Sequence, residues 1–482
     1  MRGRGAALAP EAGRGAGGGA VAERGAQRGG SSAARGAGLS APAALSRDPR
    51  VQLLGLLRRW GTLTRAELAE QLGVTSAMAG EWIADLSRAR LVDSAGRGQS
   101  SGGRPPQRVT LAGDAALALG LDVSGWPVRA VLRDLAGRVR FELTLEPSSA
   151  LWRRRRPGLA PGAGAEATPD SDPALPPTAV EDVVRLAEHA IRRSGQPREQ
   201  VRAAGLALAG FVDSRRGAHR PEGGPGGASI PLGPALAERL GMPVLIEDMA
   251  RAAALAEARD GAAAGIADLL FLSLGDRIGA ALILDGDLYR GASGVVGEIG
   301  HIVVREGGPR CTCGNLGCVQ ALASRPAILG QVRAALGEGV VSAMAGAPVL
   351  EVETVVRAAG AGDRLASSVL RQAGQDVGRA LAAGANLLGP TMVVLGGHAP
   401  ALGDLFVDEV RRVLGHHVVP PIAERMRVGV GILGAQAPAL GAAWGALDLL
   451  VETGALVQRR NGRRSRAPAP TMLESEGLAS GT

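Results

Sequence analysis

Residues 297–324 read GEIGHIVVREGGPRCTCGNLGCVQALAS. This stretch holds all three cysteines of the chain, Cys311, Cys313 and Cys318, in a C-x-C-x4-C spacing, with His301 ten residues before the first. Three thiolates and an imidazole are the soft and borderline donors of a tetrahedral structural zinc site. The bland alternative is three buried free cysteines and a core histidine. Clustering within eight residues, broken by Gly314 and Gly317 and leaving no cysteine over, favours the metal. Glu298 precedes His301 by three residues, so a carboxylate stands beside the anchored imidazole and the pair can line a pocket for a polar ligand.

The rest of the chain gives this segment a setting. Its 482 residues suffice for two or three domains with sizeable cores. Cysteines confined to one cluster argue against a disulfide framework and for a reducing, cytoplasmic setting. The start, MRGRGAALAPEAGRGAGGGA, has no apolar h-region, and no apolar run reaches the length of a membrane span. All 54 basic residues are arginine, a compositional bias that makes arginine abundance alone weak evidence for nucleic acid.

The placement of charge says more. Residues 1–50 carry eight Arg and three acidic residues, and residues 51–111 carry eight Arg and five. These two stretches account for the whole net charge of +8, and the remainder is neutral. A basic front on a neutral body points to an anion-binding head, nucleic acid being the usual anion and the nucleoid the matching location.

Residues 1–47 lack apolar periodicity and read as a disordered Arg/Gly/Ala-rich tail. Residues 48–111 read as a winged helix-turn-helix. A first helix starts at Val51 and stops near Gly61. Thr64-Arg-Ala-Glu67 is a capping box opening a helix over 65–72, with Gly73 as its stop, and Thr75 caps a third helix over 76–90. The Gly/Ser/Arg loop that follows, ending in the alternating strand 108–111, makes a wing that places Arg97, Arg104 and Arg108 toward phosphates or a minor groove. In the third helix Thr75, Ser76, Met78 and Glu81 are the candidate base-facing residues. Few of them are strong hydrogen-bond donors, so sequence specificity is expected either to be modest or to lean on the wing.

From residue 112 to 455 an α/β body is expected. Three strands with turns at 124–126 and 136–137 come first, then a flexible insertion over 148–177 containing the run Arg153–Arg156. Helices over 179–194, 232–240 and 250–258 alternate with strands over 201–209, 244–246, 268–274 and 279–284. Mostly helices over 327–388, a strand at 391–395, the turn Gly396-Gly397 and a closing helix near 439–451 complete it. Residues 456–482 read as a second disordered tail.

The winged helix ending in Ser101-Gly-Gly-Arg-Pro-Pro, the loop Asp122-Val-Ser-Gly125, the segment 244–257, the GEIGH run and the cysteine cluster together resemble the ROK family of repressors, open reading frames and sugar kinases. The resemblance covers residues 50–455. It implies a two-lobed, actin-like (hexokinase-like, RNase H-like) ATPase-type body with a sugar cleft between the lobes. It also implies a homodimer or tetramer, and, with the winged helix in front, a regulator of the xylose- or N-acetylglucosamine-repressor type.

Residue by residue, the resemblance places the catalytic aspartate of family kinases, within V-E-N-D-A-N-A-A-A-L-A-E, on Met249 of Ile246-Glu-Asp-Met-Ala-Arg-Ala-Ala-Ala-Leu-Ala-Glu257. A thioether cannot accept a hydroxyl proton, and Asp248 takes the place of the family's asparagine. The first phosphate loop carries Trp126 where a small hydroxyl is expected, and the second carries Asp276 and Arg277 where backbone amides meet phosphate. Kinase activity is therefore not expected, so no catalytic residue is assigned. The resemblance implies sugar contacts for Glu298, His301 and, where the family has glutamate, Gln320, with Asp248 as a further candidate. The alternative is a vestigial cleft in which Glu298 only caps local structure. The reading that emerges is a DNA-binding repressor of carbohydrate genes, with zinc as cofactor, operator DNA as partner, and a sugar or sugar-phosphate effector. A sugar kinase carrying a DNA-binding head is the runner-up.

Overall fold

The computed structural model describes residues 48–97, 107–147, 179–220 and 229–457. The expected N-terminal tail 1–47, the insertion 148–177, the wing tip with Arg104 and residues 458–482 lie outside the described residues; Leu456, expected to begin the second tail, is instead buried in the core shared by head and body.

At the front, α1 (Pro49–Trp60), α2 (Arg65–Leu72) and α3 (Ser76–Arg88) pack with a three-stranded sheet, β1 (Leu63–Thr64), β2 (Val92–Arg97) and β3 (Gln107–Leu111), ordered β1-β3-β2. The capping box is formed: Thr64 Oγ1 accepts from Glu67 N at 3.2 Å and the Glu67 carboxylate accepts from Thr64 N at 2.7 Å. Such a cap is worth about 1 kcal/mol. Helix α3 ends at Arg88 rather than at residue 90, because Arg90 takes a left-handed φ of 55° and Leu91 N–H closes back on the Leu86 carbonyl.

The body contains the same sheet twice. β4 (Leu117–Asp122), β5 (Val128–Asp134) and β6 (Val139–Leu145) form an antiparallel meander. β7 (Val201–Leu208) adds parallel to β4, and β10 (Val244–Asp248) adds parallel to β7. β8 (Phe211–Asp213) and β9 (Ala218–Arg220) make a separate hairpin. In the second lobe, β11 (Leu269–Leu274), β12 (Ile278–Leu284) and β13 (Asp287–Tyr289) form the meander. β14 (Met392–Gly397) adds parallel to β11, and β15 (Arg427–Val430) adds parallel to β14. The central strands β4 and β11 are buried along their whole length, which is why LALGLD and LLFLSL read as near-continuous apolar runs. Two sheets of one topology are the duplicated architecture of the actin-like fold.

Helices α4 (Ala179–Ser194) and α5 (Leu232–Leu240) cover the first sheet, and α6 (Met249–Asp260) follows β10 directly. In the second lobe α7 (Val319–Ala323), α8 (Arg325–Gly337), α9 (Val352–Gly360), α10 (Arg364–Leu388), α11 (Gly403–His417) and the single turn α12 (Pro420–Ala423) share one core with β11, β12 and β14. The closing helix α13 (Ala437–Glu452) returns to lie against β4, β7 and α6. Its approach to α6 needs Gly441, since a Cβ there would fall 1.7 Å from the Ala252 carbonyl oxygen. The head joins this arrangement through a shared core: Leu53, Leu54 and Leu57 of α1 are buried with Trp444, Leu447, Leu450 and Val451 of α13.

Candidate functional site

The cysteine segment is built from tight turns rather than regular structure. A 3-10 turn, Ile299–His301, presents the imidazole, and isolated bridges pair Val303 with Cys318 and Arg310 with Leu316. Cys311 N–H donates to Asn315 O, and Gly314 N–H donates back to Cys311 O, folding the C-x-C-x4-C run on itself. The return passes so close to the preceding bend that Gly317, at φ 75°, would drive a Cβ to 1.6 Å from the Arg305 carbonyl oxygen; only glycine fits.

The four side chains converge. One ligand atom from each of His301, Cys311, Cys313 and Cys318 lies within 4.8 Å of the others. Cys313 Sγ is 3.7 Å from Cys318 Sγ, and Cys311 Sγ is 3.5 Å from His301 Nδ1. Tetrahedral zinc with Zn–S of about 2.3 Å and Zn–N of about 2.0–2.1 Å requires S···S edges of about 3.8 Å and S···N edges of about 3.5 Å. These two edges match that tetrahedron and the remaining donor separations stay within 4.8 Å, so the donor set suits a metal ion in kind and number. Burial and the neighbouring sulfurs push the Cys318 thiol up to about 12. Packing these sulfurs as thiolates needs a cation among them.

The other imidazole nitrogen faces Glu298: His301 Nε2 lies 3.8 Å from Glu298 Oε2. Glu298 sits at the N-cap position of the 3-10 turn, but its side chain makes no capping bond, and it is 44% exposed. Gln320 is placed differently from the expectation of a sugar contact. Its amide is buried, accepting from Ile278 N at 3.1 Å and donating to Thr312 Oγ1 at 3.4 Å, which ties β12 to the cysteine loop.

On the other side of β12 stands the start of α6, with Ala250 against Gly279. Met249 is half-buried and packs on Ala207, Ala252 and Ala442. Asp248 caps α6, its Oδ1 accepting from Ala250 N at 2.9 Å and Arg251 N at 3.1 Å. Burial pushes its carboxyl up to about 6. Next to it lies a charge cluster that sequence reasoning missed. Glu247, 2% exposed, is held by Arg251 Nε at 2.6 Å, Arg290 Nε at 2.9 Å and Ser214 Oγ at 2.6 Å. The two guanidinium groups hold the Glu247 carboxyl below its ordinary range against the effect of burial. Arg251 spends its remaining nitrogens on the carbonyls of Gly294, 2.8 Å away, and Val212, 2.7 Å away, so the cluster joins the two lobes. The one signal in the sequence is an arginine in an otherwise alanine-rich first turn, MARAAALAE.

Both phosphate-loop positions differ from the sequence expectation in detail. Trp126 packs back on the first lobe's core, and the turn is closed by Asp122 Oδ1, which accepts from Ser124 N at 3.0 Å and Ser124 Oγ at 2.5 Å. Asp276 is not a bare anion: Arg325 donates to both its oxygens at 2.5 and 2.6 Å.

On the head, Ser76, Met78 and Glu81 are exposed on α3, with Arg88 further along it. The Thr75 hydroxyl caps the helix, accepting from Met78 N at 3.3 Å. Arg108, on β3, donates one guanidinium N–H to Thr62 O at 2.7 Å, tying β3 to the residue before β1. Arg97 ends β2.

Three comparisons place this geometry. A putative xylose repressor of Caldicellulosiruptor sp. (strain Rt8B.4) is 26% identical over 383 residues, 79% of this chain and 90% of its own length. A glucokinase of Halalkalibacterium halodurans is 31% identical over 245 residues, 50% of this chain and 74% of its own. A crystal structure described as a ROK family transcriptional regulator, homolog of the E. coli MLC protein, superposes with a TM-score of 0.69 at 23% identity over 84% of this chain and 96% of its own, which speaks to the fold. A match of 383 residues cannot fit between residue 168 and the end at 482, so the repressor match reaches into the segment before the family region. The ROK family model itself matches residues 168–448, more than half of the chain, and the protein belongs to the ROK family.

Proposed function

We propose that the protein is a DNA-binding transcriptional repressor of carbohydrate-metabolism genes, gripping operator DNA with its winged helix and reading a sugar or sugar phosphate beside Glu298 and His301. The carrying observation is continuity. The head shares its core with α13, α13 lies along α6, and α6 starts at Glu247 and Asp248 beside the cleft wall. A ligand that favours one lobe arrangement biases the head through packed helices, a population shift rather than a new contact. Ser76, Met78 and Glu81 are assigned to base edges, and Arg97 and Arg104 of the wing to phosphates. Thr75 orients α3 and Arg108 braces the wing sheet. A dimer or tetramer presents two such heads to paired half-sites.

His301, Cys311, Cys313 and Cys318 would hold zinc as a closed structural cross-link. No kinase step is assigned. Met249 has no proton acceptor, and the Asp248 carboxylate is engaged in capping α6. The similarity to a glucokinase keeps turnover worth testing: ATP consumption with a panel of hexoses and N-acetylhexosamines should stay at background, and sugar-dependent consumption would establish the kinase reading instead. DNA binding is tested by anisotropy on promoter fragments across a salt series. Affinity should fall steeply with salt, and a flat response means that few phosphates are contacted and the DNA reading fails.

A further inference from the structure

Where the head meets the body there is a cavity of about 320 Å³, at the lower end of the range for small-molecule sites. Four of its twelve lining residues are arginines and one is acidic. Arg58 and Arg59 come from α1 of the head. Arg138 comes from the β5–β6 turn, and Arg259 and Asp260 from the end of α6. Trp444 of α13 closes one side, its ring 3.8 Å beneath the Arg58 guanidinium, and Arg133 lies 4.5 Å from the same ring.

The charges do not balance. Asp260 is occupied by Arg133 and by the Trp444 indole N–H at 2.6 Å. Asp448 serves both Arg58, at 3.0 Å, and Arg259, at 3.7 Å, while Asp287 pairs with Arg59 at 3.2 Å. Asp134, behind the turn, is paired with Arg140. Arg138 is exposed and has no acidic partner for its guanidinium among the described residues. At the cavity itself four arginines thus stand against Asp260 alone, while Asp134 and Glu142 act on Arg133 from outside the lining. Arg58 bears the strain: it is 8% exposed, and its Nε, though near Asp448, has no hydrogen bond of proper geometry. Burial, with Arg259 and Arg133 adding repulsion, pushes it down to about 10, a cost that an anion in the cavity relieves.

We propose that this cavity binds a phosphate dianion, as inorganic phosphate or as the phosphate group of a sugar phosphate, held by Arg58, Arg59, Arg138 and Arg259. Guanidinium forks match phosphate oxygens in geometry and charge. Two of these arginines belong to the head and two to the body, so the bound dianion bridges them and holds the head in one orientation. This site is separate from the cleft beside Glu298 and does not depend on it.

Isothermal titration of the full chain with inorganic phosphate, and separately with glucose 6-phosphate, at constant ionic strength in chloride tests this. For inorganic phosphate one saturable site is expected, and for both ligands an arginine-dependent mode whose affinity falls about tenfold or more in Arg59→Ala/Arg138→Ala, two exposed positions whose loss leaves the melting temperature in place. Glu298→Gln should leave phosphate affinity unchanged. The ligand that binds tighter in the arginine-dependent mode identifies the source of the phosphate. The proposal is overturned if neither ligand gives saturable heat, if the double variant binds as well as the parent, or if binding is lost in Glu298→Gln and not in the arginine variant.

Discussion

On one side of β12 the chain gathers three sulfurs and an imidazole around a single point. On the other it buries Glu247 between Arg251 and Arg290. Both walls cross-link separate stretches of backbone, but by opposite means. The cysteine wall lies within one lobe, keeps Glu298 and His301 at its edge, and gathers donor atoms that could hold a metal ion. The arginine wall is self-sufficient and spans both lobes, through Val212 on one side and Gly294 on the other. The difference teaches that one wall leaves a carboxylate and an imidazole exposed at its edge, whereas the other engages its charged groups with one another and with the backbone.

The largest test falls on the metal wall. Cys318→Ser, or chelation of the purified protein, should remove one zinc per chain by elemental analysis. It should also cost about 5 kcal/mol or more, much of an ordinary domain's stability, read as a large drop in melting temperature. Full stability without metal would mean the thiols are simply buried. Next is Arg251→Met, which leaves Glu247 buried with one cationic partner fewer. It should cost about 3–5 kcal/mol by urea unfolding, and Glu247→Leu/Arg251→Met together should recover much of that. If the single and double variants unfold alike, the cluster is not an energetic unit.

Much of this contrast was legible in the sequence on the metal side and little of it on the other. The C-x-C-x4-C spacing and His301 are local enough to define a site before folding. Helices over 179–194 and 232–240, and the capping box at Thr64, follow from local periodicity and capping chemistry and appear where expected. The three-residue strands β8, β9 and β13 are too short for alternation to register. Helix α11 lies outside the expected elements although Phe406, Val410, Val413 and Leu414 carry a helical period. Arg58 and Arg325 could not be assigned from sequence, because their partners Asp448 and Asp276 are distant in the chain; Arg251 lies only four residues from Glu247, but an arginine-rich composition hides a structural arginine among solvated ones.

A smaller effect separates the walls by pH. The Asp248 carboxyl is raised from 3.8 to about 6 in the folded protein. The folded state therefore holds its proton more tightly than the unfolded one. The stabilisation this provides is complete below pH ~4 and is lost as pH rises through about 6. Asp248→Asn retains the acceptor for Ala250 and Arg251 N–H and removes the titration. Its stability relative to the parent should rise across pH 4–6 by about 2 kcal/mol, discounted from the full shift for partial exposure. Parallel curves would mean that the carboxyl is solvated.

The smallest change in stability belongs to Glu298, and it bears most on function. Its carboxylate is 44% exposed, caps nothing and sits 3.8 Å from His301 Nε2. Replacing it by glutamine should move the melting temperature little, since substitutions at exposed positions outside caps and buried networks stay within about 0.5 kcal/mol. A charged acceptor to a sugar hydroxyl is worth more in binding than an amide, so affinity for a stabilising sugar found by thermal-shift screening should fall about tenfold. His301→Ala cannot serve here, because it removes a metal ligand and confounds binding with folding. An unchanged ligand response in Glu298→Gln would detach sugar recognition from the cysteine wall, and the contrast between the two walls would then be one of architecture alone.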